Sequence, residues 1–80
     1  MNLDEARQTV IRVLVDVTKP ARGARAIGAG TTLAELGLRS LDLAEVIAVL
    51  EMEFDFDPFV GGANLAEVRT IDDLASLYLR

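Results

Sequence analysis

Residues 36–54, LGLRSLDLAEVIAVLEMEF, contain the strongest structural pattern in this sequence of 80 residues. A Leu-Gly turn precedes Ser40, and a regular apolar series follows it with the spacing of one side of an α-helix. The series consists of Leu43, Val46, Ile47, Leu50 and Phe54. The stretch therefore predicts a helix from Ser40 to Phe54 with this stripe in the core.

The opposite side of the same predicted helix mixes apolar and acidic residues. It carries Leu41, Ala44, Glu45, Ala48 and Met52. Two large apolar side chains on an acidic surface are typical of a docking site for another protein. An ordinary solvated helix side is the alternative, and for Glu45, Glu51 and Glu53 individually it stays open.

Two further helices are predicted on either side of this segment. Apolar residues from Leu3 to Val17 recur at helical spacing, and Pro20 is expected to end that helix near Thr18. The members of its stripe are Leu3, Ala6, Val10, Val13, Leu14 and Val17. The final helix is expected to start at Thr70, with Asp73 completing a capping box. Its inward stripe is Ile71, Leu74 and either Leu77 or Tyr78.

The connections between these helices contain the turn signals. Residues 18–39 form a long loop, in which Thr32 and Glu35 predict a short capped turn and Leu33 and Leu36 anchor the loop to the core. The loop is broken by Gly23, Gly28 and Gly30, and Arg22 and Arg25 are expected in solvent. After the second helix, Pro58 and a Gly-Gly pair mark its end, and residues 63–68 predict a short helical turn. The fold class is thus an all-α bundle of three main helices and one small one, as a single domain over residues 1–80.

Composition excludes several functions. The chain has no cysteine and no histidine, so thiolate chemistry and a serine-hydrolase triad are both excluded. We therefore expect no enzyme. Glu53, Asp55 and Asp57 lack the spacing of a calcium loop and favour a solvated acidic rim over a metal site. No apolar run approaches the length needed to cross a bilayer, and the N-terminus has no secretion signal, so we expect a cytoplasmic protein without membrane contact.

The charge distribution indicates the kind of partner. Net charge is −5, and between Ser40 and Pro58 there are six carboxylates and no basic residue. Such a surface disfavours nucleic acid and favours a basic protein surface. We expect a monomer that docks to such surfaces.

Ser40 has a local structural interpretation. Serine is a preferred N-cap, since its oxygen accepts a hydrogen bond from a free amide of the first turn. Local sequence alone favours this interpretation. The rest of the sequence, however, contains further motifs that a capping role for Ser40 would not require.

The chain resembles the acyl carrier protein family over nearly its whole length. The resemblance rests on Leu-Gly-Leu-X-Ser-Leu-Asp, on a helix ending in Leu-Glu-X-Glu-Phe, and on a final Thr-Ile-Asp-Asp-Leu helix, all in this order. It implies that Ser40 carries a covalent 4'-phosphopantetheine arm, to which acyl or aminoacyl groups are attached as thioesters. It also implies phosphopantetheinyl transferase and acyl-transferring or condensing enzymes as partners. The matching recognition residues are Leu41, Asp42, Ala44, Glu45, Ala48 and Met52.

Arg39 departs from the family pattern, which nearly always has Asp before the serine. The substitution reverses the charge beside the reacting hydroxyl and removes a carboxylate that is thought to assist the magnesium-dependent transferase. Arg39 is then a candidate contact for the phosphate of the arm or for an acidic patch of a partner. The alternative is a carrier-like helical adaptor that is not modified. The cargo and the pathway, whether fatty-acid, polyketide, amino-acid or cell-wall, stay open.

Overall fold

The computed structural model describes residues 1–19 and 27–79. Three α-helices occur in this part of the chain, α1 (Leu3–Thr18), α2 (Ser40–Phe54) and α3 (Ile71–Ser76), with a 3₁₀ turn at Leu65–Glu67. The all-α prediction is confirmed, although α3 is only six residues long. The expectations for Pro20, Arg22, Gly23 and Arg25 lie outside the described residues.

Side-chain caps define where α1 and α3 begin. The Asn2 side chain accepts the Glu5 N–H at 2.9 Å at the start of α1. At α3, the Thr70 hydroxyl accepts the Asp73 N–H at 3.1 Å, and the Asp73 carboxylate accepts the Thr70 N–H at 3.0 Å. The predicted capping box is thus confirmed. The N–H groups of Thr70 and Arg69 both donate to the Asp73 carboxylate, and they hold the pKa of the Asp73 carboxyl below its usual value.

The core forms where α1 packs against both α2 and α3. An ion pair between Arg12 and Glu53, at 3.0 Å, adds a surface link from α1 to α2. The buried apolar side chains are Ala6, Val10, Val13, Leu14, Ile27, Val46, Leu50, Phe54, Ile71, Leu74, Ala75 and Tyr78. Tyr78, and not Leu77, is the buried residue at the end of the α3 stripe. Leu77, the C-cap residue of α3, is only half-buried.

The described part of the first loop is held against the start of α3. The Leu33 N–H donates to the Arg69 carbonyl and the Ile71 N–H donates to the Thr31 carbonyl, both at 2.9 Å. Thr32 Oγ1 accepts the Glu35 N–H at 3.1 Å, which confirms the predicted turn. Leu33 and Leu36 pack on the core as expected. This arrangement fixes the path of the chain into α2.

No helix in residues 1–19 or 27–79 is long and apolar enough to cross a membrane.

Candidate functional site

The start of α2 is built by Arg39 and Asp42. Arg39 has extended backbone angles (φ −83°, ψ 161°) and is the N-cap residue. Its N–H donates to the Asp42 carboxylate at 3.2 Å, and its carbonyl accepts the Leu43 N–H at 3.0 Å. Ser40 is therefore the first residue inside the helix, and its interpretation as the N-cap is wrong. The carboxylate three residues after Arg39, and not the serine hydroxyl, sets the boundary.

The Ser40 side chain is exposed. Its hydroxyl makes no hydrogen bond to any residue that the structure describes. The chain has one other serine, Ser76, whose hydroxyl donates to the Asp73 carbonyl at 2.9 Å. Of the two hydroxyls, only that of Ser40 is both exposed and without a hydrogen bond within the described residues. A hydroxyl that an enzyme modifies must be accessible in this way.

The first turn of α2, which begins at Ser40, contains free backbone donors. A guanidinium has no acceptor atom, so the Arg39 side chain cannot cap the first turn as Ser, Asn or Asp would. The N–H groups of Ser40, Leu41 and Asp42 accordingly have no acceptor within the described residues. Free amides at the positive end of a helix dipole suit a phosphate group. The residues present here thus fit a phosphodiester on Ser40.

An apolar groove of about 360 Å³ begins at Ser40 and follows α2. It is lined by Ser40, Leu43, Ala44, Ile47, Ala48, Glu51 and Leu65. Leu43 and Ile47, predicted as core residues, are only half-buried and form its walls. The two side chains are not fully buried because the segment that carries Leu65 lies beside α2 without closing over this side of the helix. Small residues at Ala44 and Ala48, four apart, are the one sequence signal that could have predicted the groove.

The outer side of α2 is exposed as the sequence predicts. Leu41 is 79% exposed and Met52 is 82% exposed. Ala44, Glu45 and Ala48 are exposed on the same helix. Asp42 differs from them, because it is half-buried and its carboxylate accepts the Arg39 N–H. The helix thus presents two apolar side chains at its two ends with acidic residues between them.

The acidic residues at the end of α2 have structural roles. Glu53 pairs with Arg12, and the Asp57 carboxylate accepts the Phe59 N–H at 2.9 Å. Asp55 ends the helix in the left-handed region, with φ +51°. Among the described residues, no group of three or more His, Cys, Asp or Glu side chains is arranged to hold a metal ion.

Comparison with known families identifies the family of this chain. Residues 8–78 match the family model described as the phosphopantetheine attachment site. The chain belongs to this family, that of the carrier domains of acyl carrier proteins. Domains of the family carry a covalently attached 4'-phosphopantetheine. Searches of curated proteins and of solved structures each gave no match to this carrier domain.

Proposed function

We propose that this carrier domain is a discrete acyl carrier protein with its 4'-phosphopantetheine arm on Ser40. It shuttles thioester-bound acyl or aminoacyl intermediates among biosynthetic enzymes. The observation that carries the proposal is the exposed Ser40 hydroxyl at the first position of α2, which forms no hydrogen bond within residues 1–19 and 27–79. Family membership supports the same conclusion, since the match covers Ser40 and both of its flanks.

The chain supplies the position and the arm supplies the reactive group. The arm would bring the thiol that a chain without cysteine lacks. The free amides of the first turn would orient the phosphate by hydrogen bonding, and Arg39 lies close enough in sequence to contact it. The groove from Ser40 toward Leu65 offers apolar surface along which part of an attached chain would lie.

The partners proposed are phosphopantetheinyl transferase and acyl-transferring or condensing enzymes with basic docking surfaces. The carboxylates on and after α2 would complement such surfaces, and Leu41 and Met52 would contribute the apolar contacts. We propose that the protein docks as a monomer. Its cytoplasmic location stays a prediction from the sequence.

Intact-mass measurement tests the proposal. The protein is co-expressed with a broad-specificity phosphopantetheinyl transferase, and a mass increase of one phosphopantetheine group is expected. Ser40→Ala should abolish the increase, whereas Ser76→Ala, the matched control at the other serine, should retain it. An increase that persists in Ser40→Ala would exclude Ser40 as the site.

The second candidate is a helical adaptor that is never modified and acts only through protein contacts. Arg39 is the observation that favours it, because a guanidinium stands directly beside the hydroxyl. If neither the natural sequence nor Arg39→Asp gains mass, the adaptor is the correct function. If only Arg39→Asp gains mass, the obstacle to modification lies at Arg39.

A further inference from the structure

Arg39 presents a positive charge directly beside Ser40. Its backbone is held on both sides, since its N–H donates to Asp42 and its carbonyl accepts from Leu43. The residue is exposed, and its guanidinium makes no ion pair with any residue in 1–19 or 27–79. A fixed backbone and an unpaired charge together leave Arg39 ready to contact another molecule.

This charge is isolated within an acidic region. Arg39 is the only basic residue in the sequence between Arg25 and Arg69. The arginines of α1 are paired, with Arg7 at 2.6 Å from Asp72 and Arg12 at 3.0 Å from Glu53. Along α2 and after it, the charged groups up to Pro58 are all carboxylates. The sign of the charge is therefore reversed locally at Arg39, directly beside Ser40.

A partner that covers both sides of this change needs both signs of charge. Basic groups complement the carboxylates of α2, but a basic group opposite Arg39 is repelled. A carboxylate at that point instead matches the planar guanidinium, which can donate two parallel hydrogen bonds to it. An enzyme with a carboxylate opposite Arg39 thus brings its reacting groups to Ser40 more readily than an enzyme with a basic group at that point.

We propose that Arg39 is a specificity-determining residue. It selects enzymes that place a carboxylate beside Ser40, and it disfavours enzymes whose contact surface is basic throughout. This inference rests on the proposed modification of Ser40 and adds which partner surface is accepted there.

The test uses a broad-specificity phosphopantetheinyl transferase whose carrier-binding surface is basic, with coenzyme A as donor. The measured quantity is kcat/KM for attachment to the purified full chain, followed by intact mass. Arg39→Gln is expected to raise kcat/KM about tenfold at low salt, mainly through a lower KM, and Arg39→Glu should raise it further. Arg39→Lys should behave like the natural sequence, because it keeps the charge.

Two controls separate electrostatics from folding. Arg69→Gln removes an exposed arginine at the start of α3 and should leave kcat/KM unchanged. High salt should reduce the difference between Arg39→Gln and the natural sequence, which a purely structural effect would not do. Circular dichroism of each variant checks that the helices are intact.

The outcomes also separate this inference from the proposed function. If Arg39→Gln and Arg39→Glu are modified at the natural rate or more slowly, the inference is overturned while the proposed function stands. If no variant gains mass, the proposed function fails and the inference fails with it. An increase in rate that does not depend on salt would likewise overturn the charge-based selection.

Discussion

The Arg7 guanidinium donates two hydrogen bonds to the Asp72 carboxylate, at 2.6 Å from Nε and 2.9 Å from Nη2. The pair joins α1 to the first turn of α3, although the two residues are 65 positions apart in the sequence. Their side chains are 26% and 28% exposed, so water reaches only part of the pair. Arg7 also contacts Asp4, at 3.2 Å within α1. The Arg7–Asp72 pair thus holds the short third helix against the first.

The Arg7–Asp72 pair predicts a pH dependence of stability. The hydrogen bonds from Arg7 hold the pKa of the Asp72 carboxyl below its ordinary value. The stabilisation is therefore complete above that ordinary value and is lost as the pH falls through the lowered pKa. We expect Asp72→Asn to lower the free energy of unfolding at neutral pH, with a difference that shrinks as the pH falls below about 4.

Urea unfolding at a series of pH values measures this difference. Glu35→Gln is the matched control, because it removes an exposed carboxylate that forms no ion pair within the described residues. Its free energy of unfolding should follow that of the natural sequence throughout. A deficit in Asp72→Asn that stays constant with pH would assign the effect to packing instead of the charged pair.

A second prediction concerns the cap of α2. Arg39 occupies the N-cap without a side-chain acceptor, so Arg39→Asn should give the first turn a hydrogen bond that it lacks. We expect the free energy of unfolding to rise by about 1 kcal/mol and the melting temperature to rise by about 4–8 °C. Arg39→Gln is the control, since it removes the same charge and is a poor cap. Equal stability of the two variants in thermal unfolding would contradict the capping argument.

A third prediction concerns the pKa of the Tyr78 hydroxyl, which can be measured directly. Tyr78 is 2% exposed, and its ring stacks on that of Phe54 with 4.9 Å between ring centroids. The hydroxyl is buried without a hydrogen-bond partner in the part of the chain that the structure describes. Burial first, and then the charges of Glu51 and Asp57, raise the pKa of Tyr78 to about 12.

Because Tyr78 is the only tyrosine, an ultraviolet titration reports this group alone. We expect the phenolate to appear only near pH 12 in the folded protein. The stabilisation linked to this shift is complete below about pH 10 and is lost as the pH rises toward the raised pKa. Tyr78→Phe should remove that alkaline loss and leave stability at neutral pH equal or higher by about 1 kcal/mol. Titration near pH 10 in the folded state would contradict this picture.

The comparison of sequence with structure shows which features are local. The bounds of α2 and the Thr70–Asp73 box follow from spacing and capping chemistry within a few residues, and both were predictable. The N-cap at Arg39 was not, since serine is the better cap in isolation and the Asp42 carboxylate decides otherwise. The incomplete burial of Ile47 and the Arg7–Asp72 pair both depend on which distant segments meet. No local pattern contains that information.

The last prediction concerns the outer side of α2. Leu41 and Met52 are the two large apolar side chains exposed on this helix, and large apolar side chains of this kind serve as anchors at protein interfaces. We expect Leu41→Ala and Met52→Ala each to raise the KM for modification about tenfold with little change in kcat. The reason is that neither side chain takes part in the reaction at the Ser40 hydroxyl, so both contribute only to binding of the transferase.

Val60→Ala provides the matched control for this prediction. Val60 is 85% exposed, but it lies in the turn after α2 and not on the helix. Its truncation should leave the KM unchanged, because the proposed docking surface does not include it. An equal rise in KM for Val60→Ala would show that the partner covers the turn as well as the helix. Unchanged KM in both helix variants would mean that Leu41 and Met52 are not anchors, and that the carboxylates of α2 attract the enzyme without apolar contact.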